Sequence, residues 1–219
     1  MLSTTTSSVR LMAMSDRPYH HGDLRRALLA QAELTVRERG VQELSLRGLA
    51  RELGVSHGAP RRHFPDRQAL LDALAEAGFV RLGDELRSAM EDGGEDFASR
   101  VRATARAYIR FATDDAALLE LMFAGKHREP AGTLAQAADR AFSAMFELIA
   151  QGQAEGALEP GEPERVGLVL FATIQGISAL VTAGIVPAAR VDELVADATA
   201  GFLAGARAAA ASRRRRSAA

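Results

Sequence analysis

The segment SLRGLARELGVSHGAPRRHFPDRQAL, residues 45–70, carries the local pattern that decides the fold. Ser45 and Ser56 stand where two short helices would begin, and serine is a favoured residue at a helix N-cap. Gly54 lies between them and tolerates the positive φ that a tight turn requires. Ala50 is small enough for the second helix to pack closely against the first. Together these spacings predict a helix-turn-helix.

The two short helices are expected to lock together through apolar side chains and to leave a charged face open. The predicted locking residues are Leu46, Leu49, Leu53 and Val55. The open faces carry Arg47, Arg51, His57, Arg61, Arg62, His63 and Arg67. A helical hairpin with a merely solvated face is the alternative, but no acidic residue occurs from Gly54 to Phe64. Arginine pairs well with guanine and with phosphate, so the pattern favours DNA binding.

The sequence YHHGDLRRALL, which begins at Tyr19, extends this pattern towards the N-terminus. With the segment above, it resembles the N-terminal DNA-binding domain of the TetR/AcrR family of transcriptional regulators, over residues 19–74. The pieces SHGAP and RHFPD resemble a subgroup with a particular C-terminal domain. The resemblance implies a homodimer on an inverted-repeat operator in double-stranded DNA, with a small-molecule effector. Repression is the usual outcome in the family, by blocking the polymerase.

This interpretation assigns roles in DNA binding to individual residues. The predicted DNA-binding residues are Ser45, Arg47, Ser56, His57, Gly58, Arg61, Arg62 and Arg67. Ser45, Arg47 and Arg67 are expected to contact phosphate. His57, Gly58, Arg61 and Arg62 are expected to face the floor or rim of the groove. The segment YHH at residues 19–21 precedes the first predicted helix and is expected to reach the flanking backbone.

Two of these positions depart from the family pattern. The family usually has tyrosine where this chain has Arg61, which adds charge and removes stacking surface. It usually has lysine where this chain has Arg67, a change that keeps the expected contact with phosphate. Gly58 and Pro60 lie inside a very short helix, which is expected to be loosely held without DNA. His63 and Phe64 are expected to pack that helix onto the first one.

Helical periodicity continues to the end of the chain, and no stretch alternates at period two, so the predicted fold class is all-α. Nine helices are expected, at 23–39, 45–53, 56–63, 66–90, 95–113, 115–125, 131–155, 162–185 and 190–210. A long helix is expected to join the three-helix N-terminal domain to a C-terminal helical bundle. The predicted divisions are a disordered leader at 1–16, the helix-turn-helix domain at 17–66, a ligand-binding and dimerisation domain at 67–211, and a basic disordered tail at 212–219.

Charge is divided unevenly along the chain although the net charge is only −1. Residues 16–67 hold ten arginines against seven acidic residues, a net of +3, whereas residues 68–212 carry a net of −9. The tail adds four arginines. A basic N-terminal segment on an acidic body is consistent with a nucleic-acid partner. The chain has no cysteine, which excludes disulfides, thiolate nucleophiles and cysteine-based zinc sites.

The apolar run at 166–186 holds no charged residue and is the candidate dimer helix. The predicted interface residues are Ala172, Gly176, Ala179, Ala183, Leu194, Ala198 and Phe202. The first four form a stripe of small residues that permits close approach of another helix. Core packing within one subunit is the alternative. A membrane span is possible on length, but charged flanks without a positive-inside pattern favour an interface helix and no membrane partner.

The resemblance places an effector pocket among the middle helices. The candidate lining residues are Met122, Phe123, Phe142, Met145, Phe146, Phe171 and Gln175. Aromatic residues and methionine at helical spacing are also what an ordinary core contains, so core packing stays open for each of them. The shortage of charges favours a largely apolar or aromatic effector.

Other functional classes find little support in the sequence. No paired catalytic carboxylates, glycine-rich phosphate loop or Ser-His-Asp arrangement is present, and the chain is expected not to be an enzyme, with no cofactor and no metal. A half metal site formed by His20, His21 and Asp23, in a metal-dependent hydrolase, is the best enzyme alternative. A helical adaptor that has lost specific DNA binding is another. The expected location is the cytoplasm.

Overall fold

The computed structural model of the chain describes residues 21–126, 132–158 and 160–217. Within these ranges the chain forms eight α-helices and no strand, which confirms the all-α prediction. The helices are α1 His21–Arg39, α2 Leu46–Glu52, α3 Arg67–Asp92, α4 Phe97–Asp114, α5 Ala116–Lys126, α6 Thr133–Ala154, α7 Pro163–Thr182 and α8 Val191–Ser217. Short 3-10 helices occur at Val41–Glu43, Pro60–Arg62 and Ala188–Arg190.

Side-chain caps define the starts of three helices. Ser45 accepts a hydrogen bond from the Gly48 amide at 3.0 Å and so caps α2, as its position in the sequence predicts. Asp66 caps α3 by accepting from the Ala69 amide at 2.8 Å. Asp96 caps α4 in the same way, and hydrogen bonds from the hydroxyl group and the amide of Ser99 lower the pKa of the Asp96 carboxyl group. Each cap satisfies an amide that the first turn of a helix leaves without a partner.

The predicted helix at 56–63 is wrong as an α-helix, and this accounts for eight helices rather than nine. Residues 57–59 form a turn and only Pro60–Arg62 is helical, in the 3-10 form. Proline has no amide hydrogen, so Pro60 cannot donate to the Ser56 carbonyl as an α-helix requires. That carbonyl instead accepts from the Ala59 amide at 2.9 Å, which is the tighter 3-10 spacing.

Two helix ends also differ from the sequence-based boundaries. The first helix begins at His21, which was expected to precede it, and α8 continues to Ser217, beyond the expected end near residue 210. The backbone of residues 212–217, assigned to a disordered tail, is therefore helical. The leader at 1–16 and residues 17–20 lie outside the described residues.

Helix α3 is the central element of the fold and packs against α4, α5 and α6. Its first half carries Leu70 and Leu74, which lie in one continuous core with Leu28 of α1 and Leu49 of α2. Further along, Gly78 lets α5 approach closely, because a Cβ there would lie 2.7 Å from the Met122 sulfur. The long helix thus joins the helix-turn-helix to the bundle, as predicted.

A cluster of ion pairs, formed by Glu33, Arg37, Arg81 and Asp115, fastens α1 to the bundle. Asp115 lies in the turn between α4 and α5, and its side chain is only 8% exposed. Its carboxylate accepts from Arg37 Nε at 2.7 Å and from Arg81 Nη2 at 2.6 Å. Glu33 also pairs with both arginines. The Asp115 carboxylate raises the pKa of Arg37 through this hydrogen bond and through its charge. The guanidinium group of Arg81 further lies 4.8 Å from the centre of the Phe111 ring.

Candidate nucleic-acid interface and effector cavity

The turn after α2 has the geometry that a helix-turn-helix needs. Gly54 has a φ of 67°, a left-handed conformation that side chains rarely adopt. Its amide donates to the Arg51 carbonyl at 3.2 Å, and the Val55 amide donates to the Ala50 carbonyl at 2.9 Å. This pair of bonds is a Schellman motif, which ends the helix and satisfies its last carbonyls. Ala50 is fully buried beneath the turn, as its small size predicts.

The open face beyond this turn is cationic. Arg47, Arg51, His57, Arg61 and Arg62 are all exposed. Within the described part of the chain, no hydrogen bond or ion pair engages their side chains. We call these five residues the cationic face. Ser56 and Gly58 are also exposed and lie in the chain segment between Arg51 and Arg61. Since the guanidinium groups have donors to spare, they are free to bind an anion.

Several arginines elsewhere in the structure are engaged with acidic side chains, although Arg110 and Arg165 are exposed without such a partner among the described residues. Arg100 binds both carboxylate oxygens of Glu155, at 2.5 and 2.6 Å. Arg106 pairs with Asp192 at 2.7 Å, and Arg190 with Glu193 at 3.0 Å. The arginines of the cationic face therefore differ from these paired arginines because no described acidic side chain neutralises their charge.

Ser45 and Arg67, which were predicted to contact phosphate, have structural partners. The Ser45 hydroxyl oxygen caps α2 and keeps its own hydrogen available as a donor. The Arg67 guanidinium group donates to the Leu44 carbonyl at 2.8 Å and to the Val41 carbonyl at 2.5 Å. Arg67 thus holds the Val41–Glu43 3-10 helix against the start of α3. Sequence reasoning missed this role, because the partners are backbone atoms more than twenty residues away.

The 3-10 segment is anchored on its inner side. Phe64 is 2% exposed and belongs to the core that contains Leu24 and Leu28 of α1, as expected. Pro60 is also buried. The Arg25 guanidinium group lies 5.4 Å from the centre of the Phe64 ring, within the range of a cation–π contact. These contacts fix the segment against α1 and leave Arg61 and Arg62 facing outward.

A narrow apolar cavity of about 20 Å³ lies between α3, α4, α6 and α7. Three predicted pocket residues, Phe142, Met145 and Phe171, line it. Gln175 touches its wall by accepting a hydrogen bond from the Tyr108 hydroxyl. The lining residues that sequence reasoning missed are Leu82, Leu86, Val101, Thr104, Ala105, Tyr108, Ala141, Leu148, Leu170 and Ile174. Burial raises the pKa of Tyr108.

The other predicted pocket residues lie behind the cavity or beside it. Met122 is fully buried against Gly78, where α3 and α5 meet. Phe123 forms a second layer, with its ring centre 6.2 Å from that of Phe142 and 6.5 Å from that of Phe171. Phe146 packs against the backbone of α7, because a Cβ at Gly167 would lie 2.9 Å from its ring.

Helix α7 has an apolar inner side and an apolar outer side. Leu170, Ile174 and Ile177 are buried in the core. The predicted interface residues Ala172, Gly176, Ala179 and Ala183 are exposed. They are accompanied by the exposed residues Leu168 and Val169, each more than half exposed. We call this exposed outer side of α7 the small-residue face. On α8, Leu194, Ala198 and Phe202 are half-buried and pack partly against the core.

The described ranges contain no group of three or more histidine and acidic side chains placed to hold a metal ion. The alternative site at His20, His21 and Asp23 is not among the described side chains. Among the described helices, α7 is the one that is long and apolar enough, by length and composition, to cross a membrane.

Two family models match this chain. Residues 28–74 match the bacterial regulatory proteins of the tetR family, and residues 101–202 match the tetracyclin repressor-like C-terminal domain. The chain belongs to the TetR family. Its resemblance to that family is thereby confirmed, and the chain is a DNA-binding transcriptional regulator and not an enzyme. No functionally curated protein matches its sequence.

Solved structures share the TetR fold seen here. A protein of unknown function from Rhodococcus sp. RHA1 is 46% identical, with a TM-score of 0.81 over 87% of this chain and 99% of its own. A TetR-family transcriptional regulator from Pectobacterium atrosepticum is 20% identical, with a TM-score of 0.61 over 84% of this chain and 91% of its own. AibR, solved in complex with isovaleryl coenzyme A and operator DNA, is 21% identical, with a TM-score of 0.55 over 82% of this chain and 95% of its own.

Proposed function

We propose that this TetR-family protein is a ligand-responsive repressor, which binds an inverted-repeat operator as a homodimer and leaves it when a small molecule binds. The observation that carries the proposal is the cationic face, whose arginines are exposed and uncompensated beyond a helix-turn-helix turn. We place its action on chromosomal DNA in the cytoplasm, with no membrane partner.

The cationic face supports two kinds of contact with DNA. Arg47 lies in the first turn of α2, where with Ser45 it is positioned to bind phosphate. Arg61 and Arg62 lie in the 3-10 segment with His57 and Gly58 ahead of them, and we assign these residues to the groove floor and its rim. Arg67 keeps its structural bonds and is left to contact phosphate with its remaining donors.

Homodimerisation is supported by the small-residue face of α7. One helix-turn-helix reads only a half-site, and two-fold dimers bind inverted repeats. The exposed alanines and Gly176 permit another helix to approach closely. Burial of the apolar side chains of Leu168 and Val169 in the interface would lower the free energy of the dimer. The half-buried side chains of α8, Leu194 and Phe202, lie on the neighbouring helix. We therefore assign α7 and the adjoining surface of α8 to the dimer interface.

The response to a ligand is supported by the way α4 connects the cavity to α1. Val101, Thr104 and Tyr108 of α4 form part of the cavity wall. The same helix ends at Asp114, and the next residue, Asp115, lies roughly 10 Å beyond Tyr108 at about 1.5 Å per residue and binds Arg37 of α1. A ligand that displaces α4 therefore shifts the anchor of the helix-turn-helix. It reduces DNA affinity only by as much as it prefers the displaced state.

The proposal is tested by fluorescence anisotropy on duplex DNA from directly upstream of the gene, with a scrambled duplex for comparison. We expect preference for the upstream DNA and two chains per site. About six to ten phosphate contacts per dimer give a slope of about −5 to −9 for log affinity against log salt. If this duplex shows no preference, selection from random DNA identifies any operator elsewhere. Failure of that selection as well would favour the adaptor alternative.

Arginine variants test which surface binds. Replacing Arg61 and Arg62 together with alanine is expected to weaken specific binding at least tenfold, since each good base contact contributes about 1–3 kcal/mol. The matched control is Arg190→Ala, which removes an exposed arginine that pairs with Glu193 far along the chain. Equal losses from the two changes would refute the assignment of the cationic face.

A further inference from the structure

The chemistry of the cavity wall indicates what kind of effector this chain accepts. We infer that the effector is a small uncharged aromatic molecule with one hydrogen-bond acceptor, which is recognised by the Tyr108–Gln175 pair. The inference rests on the proposed function in taking this cavity as the effector site. It goes further in naming the ligand class, from the charge, ring geometry and polar groups around the cavity.

Among the described residues, no ionisable side chain except Tyr108 lines the cavity. Arg87 and Arg100 adjoin wall residues in sequence and have acidic partners, although Arg100 Nε has no partner of its own. Arg100 is bound to Glu155 and to the Glu95 carbonyl. Arg87 is bound to Asp84 at 2.8 Å. A charged ligand in the cavity would lose its hydration and find no counter-ion, which is far more costly than apolar contacts can offset. The wall therefore selects against carboxylates and amines.

Aromatic rings of the cavity wall pack edge to face against one another. The ring centres of Phe142 and Phe171 are 5.1 Å apart at 83°, and those of Tyr108 and Phe171 are 5.4 Å apart at 81°. An aromatic ligand that enters between α4, α6 and α7 finds both ring faces and ring edges, and aromatic pairs favour such geometry beyond the area that they bury. The wall therefore favours a flat ring over a flexible chain.

The polar groups at the wall leave donors for one acceptor. Thr104 donates to the Arg100 carbonyl and is already engaged. Tyr108 donates to the side-chain oxygen of Gln175, which fixes the orientation of that amide. The Gln175 amide nitrogen then carries two donor hydrogens, and no partner for them occurs in the described part of the chain. A ligand carbonyl on the Gln175 side of the wall is able to accept one of these hydrogens.

The size of the cavity limits the ligand and requires the helices to move. A free volume of about 20 Å³ accommodates about one water molecule. Ala105 of α4 and Ala141 of α6 are the small side chains of the wall, so a ring has room only if these helices separate slightly. Only a small ligand is admitted at a tolerable cost in packing, and its entry displaces α4.

Isothermal titration calorimetry of the full-length protein tests the class with three probes of similar size. Acetophenone is a neutral aromatic ketone, benzoate carries a charge, and ethylbenzene lacks the acceptor. We expect saturable binding of acetophenone, about three- to tenfold weaker binding of ethylbenzene because one hydrogen bond is lost, and at least hundredfold weaker binding of benzoate. Benzoate binding as tightly as acetophenone, or no binding of any probe, would overturn the inference.

Variants at the polar pair test the recognition itself. Gln175→Leu is expected to remove the preference for acetophenone over ethylbenzene. Tyr108→Phe keeps the ring and frees the Gln175 oxygen, and it is expected to reduce the preference as well. Ser88→Ala on the exposed side of α3 is the control and is expected to leave the preference unchanged. A preference that survives both changes would refute the role of this pair.

DNA binding measured on the same samples separates this inference from the proposed function. If acetophenone binds as expected and operator affinity does not change, the ligand class stands and ligand-responsive repression fails. If operator affinity responds to another compound while the three probes fail, the proposed function stands and the ligand class is refuted.

Discussion

Replacing Asp115 with asparagine tests how firmly the helix-turn-helix is held to the bundle. The carboxylate is almost fully buried and binds guanidinium groups from two helices, Arg37 on α1 and Arg81 on α3. Asparagine has the same shape but no charge. Its amide nitrogen is a hydrogen-bond donor and would face a guanidinium group, which offers no acceptor. The substitution therefore removes the charge at the centre of the cluster without creating a cavity.

The expected loss of stability follows from the exposure of the partners. Breaking a fully buried ion pair costs about 3–5 kcal/mol. Here the side chains of Arg37 and Arg81 are 47% and 32% exposed, so the released guanidinium groups regain water. One asparagine oxygen also remains as an acceptor. We expect a loss of about 2–3 kcal/mol in the free energy of unfolding, and a Tm about 5–10 °C lower for a chain of this length.

Urea unfolding followed by circular dichroism measures this loss, at a fixed protein concentration because association contributes to stability. The matched control is Asp84→Asn, which breaks the pair with Arg87 at a carboxylate that is 67% exposed. Exposed pairs contribute at most about 1 kcal/mol. A loss at Asp115 no larger than the loss at Asp84 would refute the account of the cluster. The Asp115 variant is also expected to reduce the effect of an effector on operator affinity, because a displacement of α4 is no longer transmitted to α1 through the ion pair with Arg37.

Three further outcomes are expected. Gly54→Ala should lower the free energy of unfolding by about 1–2 kcal/mol, because φ is positive there; Gly58→Ala, at an open site without positive φ, should change it by less than half as much in the same urea titration. In a Tyr19→Phe chain, absorbance at 295 nm should show that Tyr108 ionises well above the usual pKa of about 10, because burial raises its pKa. The stability that comes from keeping the phenol neutral is complete below the usual pKa of the unfolded chain. It falls as the pH rises through the pKa of the folded state. Ionisation at the usual value would contradict that burial. Gly176→Glu should convert a dimer into a folded monomer by light scattering, since its site is open in the single chain, and an unchanged mass would place the interface elsewhere.

The sequence predicted best what depends on neighbouring residues. Ser45 caps α2 and Gly54 has the expected positive φ, because capping and turn geometry are set within a few residues. The all-α class follows from the helical periodicity. The predicted helix at 56–63 failed for a local reason that was available in principle, because Pro60 lacks the amide that an α-helix needs there.

Features assembled from distant residues could not be read in advance. Tyr108 reaches the cavity wall beside Gln175, which is 67 residues away in sequence, and no periodicity couples them. Asp115 pairs with Arg37 across 78 residues of sequence, so neither residue indicates from its local sequence that the other is its partner. Phe142 and Phe171 were found because aromatic residues in apolar helices are natural cavity residues, whereas the aliphatic lining resembles any other core.

The composition of the cationic face limits how a cell can control it. Its strong charges are all guanidinium groups, and the single lysine of the chain, Lys126, lies far from them in sequence. Lysine acetylation neutralises a charge, whereas methylation of arginine preserves it. Arginine also stays protonated throughout the physiological range of pH. Acetylation therefore has no target on this face, and control of DNA affinity is left to movements of the helices that carry it.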